Sequence, residues 1–173
     1  MKKVIEEFSD EDNIFFFFTS VLQDDIILRK KEIYDGAIPS GNSAMAFNML
    51  YLAIVFDERS WITRVEKMLV SLDKVIIKYP SSFGFWAGTL QYMVSGINEI
   101  AVTGENAFNL TSLINRRFIP NKIIQSAIFP VTGMPLFEGK FSAENETFIY
   151  LCRNYACEKP LKTVDDLILL LKN

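Results

Sequence analysis

The chain has 173 residues, a formal net charge of −3 and no histidine, and half of its residues are hydrophobic. This length suits one domain or two small subdomains that bury a core without disulfides or metals. The acidic balance argues against nucleic acid as a partner. The absence of histidine excludes Ser-His-Asp or Cys-His catalysis within the chain and any metal site that uses histidine. We expect no metal and no cofactor.

The sequence carries no recognisable membrane-spanning or secretion segment. The longest nearly apolar run, residues 44–56, is shorter than the roughly 20 residues that span a bilayer. The N-terminus turns acidic at Glu6 and Glu7, where a secretion signal needs its apolar centre. The sequence therefore predicts a cytoplasmic protein without a membrane partner. Its high apolar content suggests that some apolar surface is covered by another chain or segment.

The first half of the chain predicts helices joined by short connections. Short connections between consecutive helices imply antiparallel neighbours, as in helical hairpins. The helix that precedes them begins without a capping residue. The predicted elements are, in chain order, a helical segment over 1–8, an extended segment over 14–18, a loop over 24–41, and helices over 43–56, 59–78 and 82–97.

The second half alternates strand and helix patterns. Its predicted elements are strands over 99–104, 122–129 and 147–153 and helices over 105–118 and 164–171. The order β-α-β-β-α indicates a small α/β element. We therefore divide the chain into a helical-hairpin region over 1–97 and an α/β subdomain over 98–173, and the fold class is mainly α with a small α/β element.

Five sequence blocks, in order, resemble one known family. The blocks are Phe-Phe-Phe-Thr-Ser at 16–20, the loop at 32–43, Glu-Ile-Ala-Val-Thr-Gly at 99–104, Phe-Ile-Pro-Asn-Lys at 118–122, and Tyr-Leu-Cys-Arg-Asn-Tyr-Ala-Cys at 150–157. The chain resembles the thioredoxin-domain-containing proteins of the spermatogenesis-associated, thioredoxin-like type. That family is widespread in bacteria, also occurs in animals, and is similar in fold to six-hairpin glycosidases and N-acylglucosamine 2-epimerases.

The resemblance implies that this chain corresponds to only one end of a larger protein. Family members carry an N-terminal thioredoxin-like domain followed by an (α/α) toroid of helical hairpins, and this chain resembles the C-terminal end of that toroid. A partial (α/α) toroid would leave apolar helix faces without neighbours. We therefore expect a homo-oligomer or association with a missing N-terminal partner.

The loop before the helix at 43–56 holds the candidate ligand-binding residues, which are Glu32, Tyr34, Asp35, Ser40 and Asn42. Two carboxylates could form an acid/base pair acting on a sugar, with the tyrosine stacking on the ring and the serine and asparagine forming hydrogen bonds. The alternative is an ordered turn whose serine and asparagine cap the helix. Ligand contact without catalysis lies between these interpretations, and no residue is assigned as catalytic.

The two cysteines, Cys152 and Cys157, are separated by four residues. This is neither the redox Cys-x-x-Cys spacing nor, without further ligands, a closed zinc site. In a reducing cytoplasm we expect free thiols with a structural role, Cys152 in a strand of the core and Cys157 exposed.

Three functions remain open from the sequence. The leading hypothesis is a carbohydrate-related domain that is non-catalytic on its own, the C-terminal part of a thioredoxin-containing, glycosidase-like protein. The first alternative is a small sugar epimerase or hydrolase that oligomerisation completes, although the absence of histidine departs from the epimerase pattern. The second is an interaction module that docks a thioredoxin-like subunit. For this chain alone, the sequence favours a binding protein over an enzyme.

Overall fold

The computed structural model describes residues 1–142, 146–153 and 156–172. It divides into two compact units, Met1–Gln91 and a second unit that begins at Tyr92. The described residues form helices in both units and one four-stranded sheet in the second, so the chain is mainly α with a small α/β element. No helix in these ranges combines the length and apolarity that a membrane crossing requires.

The first unit consists of helices and a long irregular loop. Its elements are α1 (Lys2–Phe8), α2 (Gly41–Phe56), α3 (Arg59–Ser71), α4 (Asp73–Lys78), a 3-10 turn (Pro80–Ser82) and α5 (Gly84–Ser95), which contains the boundary between the units. The helix at the N-terminus, the loop before α2 and the helix that follows it are confirmed. The extended segment over 14–18 forms only an isolated bridge between Ser9 and Phe16.

The core of the first unit lies between α2 and α3, which pack against each other. Helix α2 ends where Asp57 adopts a left-handed conformation with φ of 53°, and α3 begins two residues later. The buried apolar residues of the two helices are Met45, Ala46, Met49, Leu50 and Ala53 from α2 and Val65, Met68 and Leu69 from α3. This short connection produces the helical pair that the sequence predicted.

The predicted helix over 59–78 is divided in the structure. It breaks at Leu72, whose φ of −107° and ψ of 1° lie outside the α-helical region. Leu72 and Ile76 are both buried. The apolar periodicity therefore continues across the break, and this is why the sequence pattern predicted one helix. The next helix begins later than predicted, because a 3-10 turn that starts at Pro80 precedes it.

The second unit has the predicted β-α-β-β-α order with one additional short strand. Its elements are β1 (Asn98–Thr103), α6 (Ala107–Asn115), β2 (Lys122–Ala127), a 3-10 turn (Pro135–Phe137), β3 (Phe148–Arg153), β4 (Ala156–Cys157) and α7 (Val164–Leu171). The strand order in the sheet is β2-β1-β3-β4. Strands β1 and β2 are parallel, and the other two pairs are antiparallel.

Apolar side chains cover both faces of this sheet. One face joins α6 and α7 in a core of Ile100, Val102, Ala107, Ile114, Ile119, Ile149, Leu151 and Leu167. The other face packs on the segment around the second 3-10 turn and contains Ala101, Ala127, Leu136, Phe137 and Cys152. Period-two alternation along β1 thus places successive residues in two different cores.

The two cysteines differ from the sequence prediction. Cys152 and Cys157 form a disulfide, so the expectation of free thiols is wrong. The pairing of β3 with β4 places the two residues directly opposite each other, which their spacing along the chain did not reveal. Their predicted environments are confirmed, because Cys152 is buried in β3 and Cys157 is exposed.

Candidate functional site

Asp35 is the buried centre of the loop before α2. Its Oδ1 accepts hydrogen bonds from the Ser40 backbone N–H at 3.0 Å and from the Ser43 hydroxyl at 2.5 Å. Its Oδ2 accepts a third from the Phe85 backbone N–H at 2.9 Å. One carboxylate therefore joins the N-terminal ends of α2 and α5, where helix dipoles favour negative charge. All three of these hydrogen bonds to the Asp35 carboxylate come from groups of the protein itself.

Ser40 and Asn42 also bind backbone groups. The Ser40 hydroxyl accepts from the Ser43 N–H at 3.1 Å and donates to the Ile33 carbonyl, so Ser40 is the N-cap of α2. Asn42 lies in the first turn of the helix. Its Oδ1 accepts from the Phe16 N–H at 2.7 Å, and its Nδ2 donates to the carbonyls of Phe16 and Glu32. Asn42 thereby holds two irregular segments against α2.

Glu32 and Tyr34 project differently from their neighbours. Both are exposed, and Tyr34 retains 68% of its accessible surface. The Tyr34 ring lies 5.3 Å, centroid to centroid, from the buried ring of Phe83. The intervening Ile33 carbonyl accepts from the Trp86 indole N–H at 2.8 Å. The extended backbone therefore alternates, with Asp35 directed inward and Tyr34 toward solvent.

A cavity of about 510 Å³ lies beside Glu32 and Tyr34. Pockets that hold small ligands typically measure about 300–1,000 Å³. Thr19 lines the cavity, and its buried hydroxyl makes no hydrogen bond within the described residues. The lining is mostly apolar, with charged groups from three consecutive positions, and consists of Phe18, Thr19, Ile26, Leu28, Lys30, Lys31, Glu32, Ile33 and Tyr34.

A second, smaller cavity of about 190 Å³ shares Phe18 and Glu32 with the first. Its other lining residues are Val4, Phe8, Phe16, Phe17, Gly41, Asn42 and Met45. The phenylalanine run at 15–18 therefore contributes to both cavities as well as to the core, where Phe15 and Phe16 are buried. The apolar run alone predicted an extended segment and did not indicate that Phe18 faces a cavity.

Basic residues fix the wall of the larger cavity. The Arg29 guanidinium lies 4.0 Å from the centroid of the Phe17 ring and donates to the Thr19 carbonyl at 2.8 Å. Lys31 also lies over Phe17 and forms an ion pair with Asp10. The hydrogen bond from Lys31 is the main cause of the lowered pKa of Asp10. Arg29 and Lys31 thus have structural roles, which the sequence analysis did not identify.

The five predicted site residues separate into two groups. Asp35, Ser40 and Asn42 are buried and hydrogen-bonded to the protein, whereas Glu32 and Tyr34 are exposed at the larger cavity. The two carboxylates are therefore in different environments. Within the described residues, no three Cys, Asp or Glu side chains converge in a way that could hold a metal ion. The residues beside the larger cavity present a tyrosine ring, the Glu32 carboxylate and the ammonium groups of Lys30 and Lys31.

No protein-family model matches the chain. The chain is 24% identical over 156 residues to spermatogenesis-associated protein 20 of Mus musculus and of Rattus norvegicus, a match that covers 85% of this chain and 20% of each relative. The human protein is 24% identical over 143 residues, covering 78% of this chain and 18% of the relative.

The chain thus spans about a fifth of the length of the curated relatives that it matches. This similarity supports the family part of the predicted resemblance. Likeness to six-hairpin glycosidases stays a prediction. The chain is therefore distantly similar, at 24% identity, to a short part of spermatogenesis-associated protein 20.

Proposed function

We propose that this chain is a non-catalytic part of a thioredoxin-containing, glycosidase-like protein and that it binds carbohydrate at the cavity beside Tyr34. In this proposal, α2 to α5 belong to an (α/α) toroid that further helices complete. The observation that carries the proposal is the division of the loop into a buried, hydrogen-bonded Asp35 and an exposed Glu32 and Tyr34 at a cavity of about 510 Å³.

The environment of Asp35 supports binding rather than catalysis. Glycoside hydrolysis requires two carboxyl groups that face the same glycosidic bond, one as acid and one as base or nucleophile. Three protein donors already occupy the oxygens of Asp35, while Glu32 lies at the exposed cavity. An acid/base pair formed from these two residues would need the loop to release its central hydrogen bonds.

The cavity lining supports a sugar as the ligand. An aromatic ring that is exposed on one face and supported from behind can stack on the apolar face of a pyranose, and Tyr34 is both exposed and in contact with Phe83. The Glu32 carboxylate can accept hydrogen bonds from sugar hydroxyls, and the Lys30 ammonium can donate to them.

The test is a panel of mono- and disaccharides measured by isothermal titration calorimetry. We expect Tyr34→Ala to weaken the binding of the best sugar by about tenfold, since a tenfold change corresponds to about 1.4 kcal/mol and an aromatic stacking contact contributes this order. Tyr79→Ala is the matched control, because Tyr79 is a half-exposed tyrosine that does not line the cavity. If no sugar produces a binding heat with the wild-type protein, the proposal of carbohydrate binding is wrong.

A second candidate function is docking of a protein partner on the first unit. This candidate rests on the exposed apolar side chains that are concentrated over residues 18–38. They are Phe18, Val21, Leu22, Ile27, Leu28, Tyr34 and Ile38. Such patches mark interaction surfaces in soluble proteins. Because the relatives are about five times longer than their match to this chain, we propose that the rest of such a protein, or a second copy of this chain, covers the patch.

Sedimentation at micromolar concentration tests the docking candidate. We expect self-association of the wild-type chain and a shift toward monomer in the variant Leu22→Ser/Ile27→Ser. Val70→Ser is the control, because Val70 is as exposed as Leu22 but lies on α3 rather than in the loop. A wild-type protein that sediments as a monomer would rule out the homo-oligomer.

A cytoplasmic location belongs to the same proposal and is tested by fractionation of cells that express the protein.

A further inference from the structure

The disulfide in the second unit links a buried position to an exposed one at the edge of the sheet. Cys152 lies in β3 with 2% of its surface accessible, and Cys157 lies in β4 and is exposed. Strand β4 contains two residues and forms the outer edge of the sheet. The disulfide therefore links the two-residue strand β4 to the core, and its Cys157 end belongs to an exposed residue.

Among the described residues, few non-covalent contacts hold this part of the chain. Cys157 pairs with Cys152, Ala156 pairs with Arg153, and the Glu158 N–H donates to the Leu151 carbonyl at 2.9 Å. Both residues of β4 are exposed, so the strand buries no side chain in the core. A strand with two residues and no buried side chain has little intrinsic stability. The covalent bond is consequently a major constraint on its position.

A second anchor lies a few residues further along the same segment. Ile149 and Leu161 form an isolated antiparallel bridge, in which the N–H of each donates to the carbonyl of the other at 2.8 Å. Ile149 is buried and Leu161 packs against the core that includes α6 and α7. The segment from β4 to Leu161 is thus attached to β3 by the disulfide and the short β4 pairing at one end and by the Ile149–Leu161 bridge at the other.

We propose that the Cys152–Cys157 disulfide is a reversible redox clamp on the sheet edge, opened by dithiol reductants that attack Cys157. A reductant thiolate forms a new S–S bond with the Cys157 Sγ as the Cys152–Cys157 bond breaks, and Cys152 leaves as a thiolate that takes up a proton. The second thiol of the reductant then attacks the mixed disulfide and releases Cys157. The reductant loses two electrons and becomes a disulfide, while the protein gains two thiols.

Opening the clamp has a local structural consequence. The Glu158 hydrogen bond to Leu151 loses its covalent support, whereas the Ile149–Leu161 bridge keeps its hydrogen bonds and its packing. The edge of β3 near Leu151 then becomes available to solvent or to another extended segment. The oxidation state of the two cysteines would in this way control access to one edge of the sheet.

Hydrogen exchange followed by mass spectrometry or NMR tests the clamp with an internal reference. We expect dithiothreitol to accelerate exchange of the Glu158 amide by about tenfold or more, because reduction removes a loop constraint. Exchange of the Leu161 amide should change by less than about twofold. Cys157→Ser, at an exposed position, should show fast Glu158 exchange with and without reductant.

Mixed-disulfide formation tests which sulfur is attacked. With glutathione disulfide, we expect Cys157 in the variant Cys152→Ala to form a mixed disulfide about tenfold faster than Cys152 in Cys157→Ala, since exposure governs access. Equal rates would overturn the assignment of Cys157 as the entry sulfur. Two freely alkylated thiols in the air-oxidised wild-type protein, or unchanged Glu158 exchange after complete reduction, would overturn the clamp itself.

Discussion

Each of the two units is stabilised internally by a different kind of interaction. In the first unit, side chains bind distant backbone groups, as when Asn42 binds Phe16 and Trp86 binds Ile33, positions 26 and 53 residues apart. In the second unit, the sheet ladder and two apolar cores hold the elements in register. Replacing a single polar side chain should therefore reduce stability most in the first unit, whereas a change in backbone geometry should reduce it most in the second.

Among the substitutions that test this contrast, we expect Asp35→Ala to reduce the free energy of unfolding most. The substitution removes the acceptor of three hydrogen bonds and leaves the backbone N–H groups of Ser40 and Phe85 unpaired, whereas the Ser43 hydroxyl keeps the Ser40 carbonyl as an acceptor. Each buried polar group left unpaired costs about 1–3 kcal/mol, so we expect a loss of about 4 kcal/mol in the free energy of unfolding. Urea unfolding followed by tryptophan fluorescence measures it, because Trp61 and Trp86 are the only tryptophans and both lie in the first unit.

Asp24→Ala is the matched control for this measurement. Asp24 is an exposed aspartate at the start of the same loop, so its replacement should change the free energy of unfolding by less than about 0.5 kcal/mol. Equal losses for the two variants would contradict the view that one carboxylate organises the first unit. A large loss for Asp35→Ala also means that this variant is a poor probe of ligand binding, for which Tyr34→Ala is better suited.

The roles of these loop residues show where sequence reasoning succeeds and where it stops. Ser40 was predicted as a candidate cap because capping depends on residues three positions apart. The partners of Asp35 and Asn42 were not predicted, since Phe85 and Phe16 are brought to them only by the fold. The division of Glu32 and Asp35 into exposed and buried positions depends on the same long-range contacts.

In the second unit the sequence predicted most of the element order. Period-two and helical patterns in 98–171 are local, and β1, β3 and α7 occur within one residue of their predicted bounds. The missed element is β4, whose two exposed residues produce no pattern. The disulfide was missed for a related reason, because the pairing of Cys152 with Cys157 follows from the register of β3 and β4.

The second largest effect is expected for Gly104→Ala, at the turn from β1 to α6. Gly104 has φ of +110°, and a Cβ at this position would lie 2.3 Å from the Glu146 carbonyl oxygen. A strained φ costs about 1–3 kcal/mol, and the clash with backbone adds to it, so we expect a loss of about 3 kcal/mol or more. Hydrogen exchange of the β1 amides measures it, because the second unit contains no tryptophan.

Gly133→Ala separates the two causes. Gly133 also has a positive φ, of +76°, but a Cβ at this position would meet none of the described atoms within 4 Å. We expect a loss of about 1 kcal/mol from backbone strain alone. If both glycine variants lose the same amount, close backbone approach does not determine the turn at Gly104, and the proposed contrast between the two units weakens.

The smallest expected effect concerns the Asp10–Lys31 ion pair of the first unit. The pKa of Asp10 is lowered in the folded protein, chiefly by the hydrogen bond from Lys31. A lowered folded-state pKa stabilises the protein above the unfolded value of about 4, and this contribution is lost as pH falls toward the folded value. Asp10→Asn should therefore lower the urea midpoint slightly at pH 6 and by less at pH 3, below the unfolded pKa of Asp10. An equal difference at both pH values would show that the side chain acts through packing, and that this polar contact of the first unit is not electrostatic in origin.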